Sequence, residues 1–206
     1  MKKISFISII IVICSIFSYI FVDRDLAMVF RYAPTELKSV AEIFTEMGDS
    51  KYSLVVTFGL FIYFRFKKQS LYASQAIFVW LSVAISGILV NIIKIIFARP
   101  RPKMLFADNL YGFEYFKFGQ SWSFPSGHSA TAWSLAIALI FLFPTYKKEL
   151  LILAVLIAFS RVVLCAHFLS DILIGGLLGA LTVLVLEKYI SGKKCFDIYQ
   201  DNCERK

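Results

Sequence analysis

Histidine is scarce in this chain: two copies, His128 and His167, among 206 residues. Cysteine is scarce too, and none of Cys14, Cys165, Cys195 and Cys203 stands at metal-ligand spacing from a histidine. Zinc sites draw on clusters of such ligands, so neither a bound metal nor another cofactor is expected. Cys195 and Cys203 lie in a polar C-terminal stretch and read as reduced thiols if that stretch is cytoplasmic. Charged residues make up 17% of the chain against 59% hydrophobic, with a mean hydropathy of +0.73, which excludes an ordinary soluble domain. No internal repeat and no low-complexity tract is present. Nor is there a separate basic polar domain. The net charge of +8 is carried by Lys and Arg at the ends of apolar runs, which removes nucleic acid as a partner and leaves membrane lipids.

What is abundant is apolar sequence in runs. Crossing about 30 Å of hydrocarbon takes about 20 helical residues. Segments near Ile4 to Val22, Tyr52 to Phe66, Leu71 to Phe97, Gly127 to Phe143, Leu150 to Leu164 and Asp171 to Leu186 approach or exceed that length. The expected fold is an all-α, polytopic membrane bundle of six transmembrane helices, in one domain over residues 1–190, with a polar tail at 191–206. The second and fifth spans are short and need Lys51, Arg65, Lys67 and Lys148 to snorkel. The first span follows Lys2 and Lys3, and with no small-x-small site before Asp23 it reads as an uncleaved helix. Lys2-Lys3, Arg65 to Lys68, Lys147-Lys148 and Lys193-Lys194 all fall on one side of the six spans, which the positive-inside rule assigns to the cytoplasm, together with both termini.

Two connections on the opposite side carry pattern of their own. Between Asp23 and Ser50, apolar Leu37, Val40, Ala41, Ile43, Phe44 and Met47 are spaced for a short amphipathic surface helix, with a packed loop as the alternative. Between Lys103 and Phe124, Leu105, Phe106, Tyr111, Phe113, Tyr115, Phe116, Phe118 and Trp122 interleave with Asp108, Glu114 and Lys117, as in an interfacial belt or the border of a lipid entrance. In the last span Gly175, Gly176, Gly179 and Ala180 suit close helix packing, and in the third Ser86 and Asn91 suit hydrogen bonds across the bundle.

Both histidines fall in three short motifs, all at the outer ends of spans: Lys94 to Pro102 (KIIFARPRP), Phe124 to Ser129 (FPSGHS) and Ser160 to Asp171 (SRVVLCAHFLSD). Lys94, Arg101 and Arg161 are cations at helix ends. Each alone reads as topogenic or headgroup-binding; together with the histidines they read as an anion site, in which arginine offers planar bidentate donors to phosphate. Arg99 and Lys103 keep the topogenic reading. Pro125 and Gly127 suit a turn into a helix, at whose positive end the Ser126 hydroxyl and Gly127 amide face an anion. His167 and Asp171 are four residues apart, so on a helix they share a face and the carboxylate can fix the imidazole tautomer.

This pattern resembles the three-part signature of the type 2 phosphatidic acid phosphatase superfamily, and every signature position is matched, over the stretch Lys94 to Asp171. The resemblance implies an integral membrane phosphatase, in which His167 is the nucleophile that becomes a phosphohistidine, Asp171 orients it, and His128 protonates the leaving oxygen and later activates water. Lys94, Arg101, Ser126, Gly127 and Arg161 would bind the phosphate, with no metal. The implied substrate is a lipid phosphate or diphosphate of the phosphatidic acid, phosphatidylglycerol phosphate, undecaprenyl diphosphate or lipid A class. The implied location is a bacterial inner membrane, with the site facing the periplasm or exterior. The alternatives are a phosphatase for a soluble ester and a noncatalytic lipid-phosphate binder or transporter. Against the last, binding alone needs only the cations, not an intact His128, His167 and Asp171.

Overall fold

In the computed structural model, which describes residues 2–116 and 122–191, each of the six apolar segments becomes one helix. In chain order the helices are α1 (Lys2–Phe21), α2 (Asp23–Arg31), α3 (Thr35–Met47), α4 (Ser50–Phe66), α5 (Ser70–Phe97), α6 (Pro102–Asp108), α7 (Gly127–Leu142), α8 (Lys147–Val163) and α9 (Leu169–Ser191). Among the described residues there is no strand. Three stretches are long and apolar enough to cross a membrane: Ile4–Phe21, Ser70–Asp108 and Leu169–Ile190. The helices α4, α7 and α8, of 17, 16 and 17 residues, are shorter. The polar tail with Cys195 and Cys203 lies outside the described residues.

Packing is inverted relative to a water-soluble bundle. Large apolar side chains such as Phe6, Ile13, Val55 and Val185 point outward, while the buried positions of the central helix α7 are Ala, Ser and Thr. Small side chains let backbones approach, which is how helices associate when the surroundings are as apolar as the side chains. Accordingly α7 packs against α5, α8 and α9. Gly175, Gly176 and Gly179 of α9 make the closest approach: a Cβ on them would fall on the Ser126 carbonyl oxygen, on the Trp133 indole and on the Ala130 carbonyl oxygen. Ser86 bonds across the bundle to Ser134 at 3.2 Å, as expected. Asn91 does not: it is exposed, on the opposite face of α5 from the buried Val90 and Ser86.

The connection after α1 forms two helices, where one was expected. Pro34 breaks them by taking the N-cap position of α3. α3 unites the two sequence readings, because Leu37, Val40, Ile43 and Met47 stay exposed while Ala41 and Thr45 are buried on the side that packs against α8. The end of α5 is also set by proline. Ala98 takes a left-handed cap conformation (φ 40°) with its N–H on the Lys94 carbonyl, and Pro100 and Pro102 forbid continuation until Pro102 opens α6.

Candidate active site

The three motifs meet at one end of the bundle through backbone hydrogen bonds. Ser123 N–H donates to the Arg99 carbonyl at 2.8 Å, and Ser126 N–H donates to the Asp171 carbonyl at 3.1 Å. The first bond ties the second motif's approach to the break after α5, and the second ties the start of α7 to the first turn of α9. The absence of a side chain at Gly175 allows the latter contact.

His167 is not on a helix, contrary to the expectation. α8 ends at Val163, the chain turns through Cys165 in a left-handed conformation (φ 50°), and α9 begins only at Leu169. His167 N–H donates to the Arg161 carbonyl at 3.2 Å, and Phe168 N–H donates to Asp171 Oδ2 at 2.8 Å, so Asp171 secures the entry to α9. That link, rather than a shared helical face, brings His167 Nδ1 to 3.7 Å from Asp171 Oδ2. Ser123 completes the contact: its hydroxyl donates to Asp171 Oδ2 and lies 3.4 Å from His167 Nδ1. With Nδ1 on the carboxylate side, Nε2 is the ring nitrogen turned away from it. The ring is buried, and burial pushes its pKa down to about 3, with Asp171 opposing the shift and Lys94 and Arg101 adding to it. His167 is therefore neutral at physiological pH.

Opposite this pair stand the cations. Lys94, in the last turn of α5, donates to the Trp122 carbonyl at 3.0 Å and lies within electrostatic range of Arg101 and Arg161. Arg101 takes the N-cap position of α6. Arg161, near the end of α8, donates through Nη1 to Thr45 Oγ1 at 2.5 Å, while its buried Nε has no hydrogen-bond partner among the described residues. A buried donor left in that state is costly, and an anion would satisfy it. His128, in the first turn of α7, is half-buried and within electrostatic range of all three cations and of Asp49. The backbone at Gly48 closes over it: a Cβ there would stand 3.4 Å from His128 Cδ2 and overlap Ile157.

The remaining expected residues divide. Gly127 opens α7, where first-turn amides face outward without intrahelical partners. Ser126 is fully buried as the N-cap, its hydroxyl accepting from Ser129 N–H at 3.3 Å and from Ser129 Oγ at 3.0 Å, so its role there is to secure the helix start. Lys103 is exposed, in keeping with its topogenic reading. Arg99 overturns that reading. It is fully buried, with Nη1 on Asp171 Oδ1 at 2.5 Å and Nη2 on Asp23 Oδ2 at 2.9 Å. Asp23, Ser123 and Thr45 were also missed; the one signal for Asp23 is an acidic residue abutting an apolar run.

The stretch that holds these residues has relatives among known proteins. Residues 75–194 match the model of the PAP2 superfamily. The lipid A 1-phosphatase of Rhizobium johnstonii is 31% identical over 160 residues, which span 72% of this chain and 66% of that protein. The lipid A 1-phosphatase of Rhizobium etli is 30% identical over 168 residues, 74% of this chain and 72% of that one. Among solved structures, a PAP2-type phosphatidylglycerolphosphate phosphatase from Bacillus subtilis shares the fold (TM-score 0.68, 22% identity, covering 95% of this chain and 98% of that one). So does Aquifex aeolicus LpxE, with TM-score 0.59, 25% identity and coverage of 82% and 96%.

Proposed function

The chain belongs to the PAP2 superfamily, and from that membership we propose that it is an integral membrane phosphatase hydrolysing a lipid phosphate or diphosphate through a phosphohistidine. The observation that carries the reading is a neutral, carboxylate-oriented imidazole, His167, set in the field of Lys94 and Arg101, with Arg161, whose buried Nε has no partner among the described residues, within electrostatic range of both cations. Lys94, Arg101, Arg161 and the amides opening α7 hold the nonbridging oxygens and balance the charge that a metal supplies elsewhere. His167 Nε2 attacks phosphorus while its Nδ1–H stays on Asp171. The bond to the leaving oxygen breaks, and His128 gives that oxygen a proton. His128 then takes a proton from water, which cleaves the N–P bond and returns His167 neutral.

A lipid is favoured over a soluble ester by an apolar groove between α4, α5 and α7, lined by Met47, Val56, Leu60, Val79, Leu139 and Phe143, whose Met47 is the chain neighbour of Gly48, the glycine packed near His128. The names of the curated relatives put lipid A 1-phosphate first among candidate substrates. Six spans, with both termini cytoplasmic and the site at the outer leaflet, fit the positions of the six apolar helices and their basic ends.

The test is phosphate release from purified lipid A, phosphatidic acid, phosphatidylglycerol phosphate and undecaprenyl diphosphate in mixed micelles, with EDTA and with vanadate. Release that survives EDTA and is blocked by vanadate is expected; release that is lost in EDTA and restored only by magnesium contradicts the mechanism. For topology, a cysteine replacing Asn109 should react with a membrane-impermeant thiol reagent in spheroplasts while Cys203 does not. The reverse pattern would move the site to the cytoplasm.

A further inference from the structure

Arg99 heads the fully buried side chains by size, yet it lies outside the residues that would touch phosphate. Its guanidinium is held from three directions. Nη1 donates to Asp171 Oδ1 and to Ser170 Oγ at 2.7 Å, and Nη2 donates to Asp23 Oδ2. The rings of Phe168, Tyr19, Tyr111 and Phe113 surround its central carbon at 4.2, 4.9, 5.2 and 5.5 Å. Asp23 is equally constrained: Oδ1 accepts from Ser18 Oγ at 2.8 Å and Ser170 N–H at 3.0 Å, and Oδ2 accepts also from Ser170 Oγ.

Two facts make this more than a structural ion pair. A buried ion pair is seldom the cheapest way to stabilise a fold, since well-packed apolar side chains of the same volume do as well or better. And the two oxygens of Asp171 have separate duties: Oδ1 is taken by Arg99, which leaves Oδ2 for Ser123, for Phe168 N–H and for the edge of His167 that carries Nδ1. With Oδ1 anchored, the carboxylate cannot rotate about its Cβ–Cγ bond to turn away from the imidazole.

We propose that Arg99 and Asp23 form a positioning relay: Asp23 holds Arg99, Arg99 fixes the carboxylate plane of Asp171, and Asp171 thereby presents the His167 imidazole in the Nδ1–H tautomer with Nε2 free to attack. The proposal rests on the reading of His167 as the nucleophile. The relay carries two carboxylates and one guanidinium, so removing Arg99 alone strands two negative charges, whereas removing one charge of each sign preserves the balance.

The decisive variant is therefore Asp23→Asn with Arg99→Gln. In purified enzyme in detergent, with p-nitrophenyl phosphate and phosphatidic acid micelles as probes, it should keep KM and vanadate inhibition within about threefold of the unmodified protein while kcat falls about 100-fold, the size of loss a misaligned catalytic group produces. Asp23→Asn alone, which leaves Arg99 on Asp171, should lose less than about tenfold in kcat. Because the chain has two histidines, the imidazole nitrogens give a readable ¹⁵N spectrum. His167 should show one tautomer in the unmodified protein and a mixture in the double variant. A folded double variant with unchanged kcat and an unchanged His167 spectrum would overturn the relay. Should the double variant not fold, Arg99→Lys carries the test, keeping the charge but losing the fork that spans both carboxylates. It should broaden the tautomer signal and lower kcat, and an unaltered spectrum and rate there would equally overturn the proposal. If the unmodified protein releases no phosphate from any probe, the phosphatase reading fails while the ¹⁵N spectra still decide the relay.

Discussion

On the Asp171 side of the site every carboxylate oxygen already has a partner inside the protein, whereas the facing side gathers three cations, Lys94, Arg101 and Arg161. Asp49 and Glu46 reach Arg161 only at electrostatic range, and Asp49 is bonded to Lys51 at 2.9 Å. Each side leaves one buried arginine Nε without a hydrogen-bond partner among the described residues, but Arg99 is paired with two carboxylates, whereas Arg161 is bonded to the hydroxyl of Thr45. An arginine paired inside the protein holds a geometry and one without that pairing can take an anion, so substitutions on the two sides should separate rate from affinity.

The largest effect should come from His167→Ala, which removes the nucleophile from the Asp171 side: turnover should fall by roughly 10⁴-fold or more while vanadate binding, measured by calorimetry, stays within about tenfold. Substantial residual turnover would end the mechanism. His128→Ala should cost roughly 100- to 10,000-fold for a lipid alkoxide leaving group and less for p-nitrophenyl phosphate, whose departing oxygen needs little protonation. Equal losses on both substrates would make His128 a phosphate ligand instead. Arg161→Ala, on the facing side, should lower kcat/KM by roughly 100- to 1,000-fold and, unlike His167→Ala, weaken vanadate binding too. Intact vanadate affinity there would erase the distinction between the two sides.

Smaller effects sharpen it. A methyl at Gly48 must displace Ile157 and crowd His128, so Gly48→Ala should lower stability by about 1–3 kcal/mol, read from thermal unfolding in detergent, and Ile157→Ala should recover part of the loss. A further effect is one of pH. The His167 pKa, lowered by burial from its ordinary 6.5 to about 3 in the folded protein, makes protonation favour the unfolded chain. Its contribution to stability is fully present above pH 6.5 and is lost as pH falls toward 3. A His167 ¹⁵N titration with a midpoint above pH 6 would contradict this.

Much of this was legible in the chain. Six apolar runs gave six helices because length and hydropathy alone decide that question, and the three motifs converged because the C-terminal ends of α5 and α8 and the N-terminal ends of α7 and α9 lie at the same end of the bundle. The rotation of a helix that is apolar all round cannot be read from its pattern, which is why Ser86 bonded across the bundle and Asn91 faced out. The His167/Asp171 pair was anticipated on helical spacing but arises from the entry to α9, since four residues separate two groups in either geometry. Arg99 was misread because a charge beside an apolar run has the same local signature whether it faces headgroups or is enclosed. What encloses it is Asp23 and Asp171, 76 and 72 residues away, with rings drawn from three separate stretches.

The buried Asp23–Arg99–Asp171 arrangement also sets an order of assembly. A ribosome makes about 5–20 residues per second, so Arg99 exists for roughly 4–14 s before Asp171 does. During that interval it has Asp23 as its one partner from the triad, a neutral couple that can be enclosed by Tyr19 and Tyr111 before α9 is translated. α9 then brings its first-turn carboxylate to this couple. Among the described residues the reactive corner is thus completed last in the order of synthesis, and a nascent protein cut short before α9 carries the couple without the chemistry.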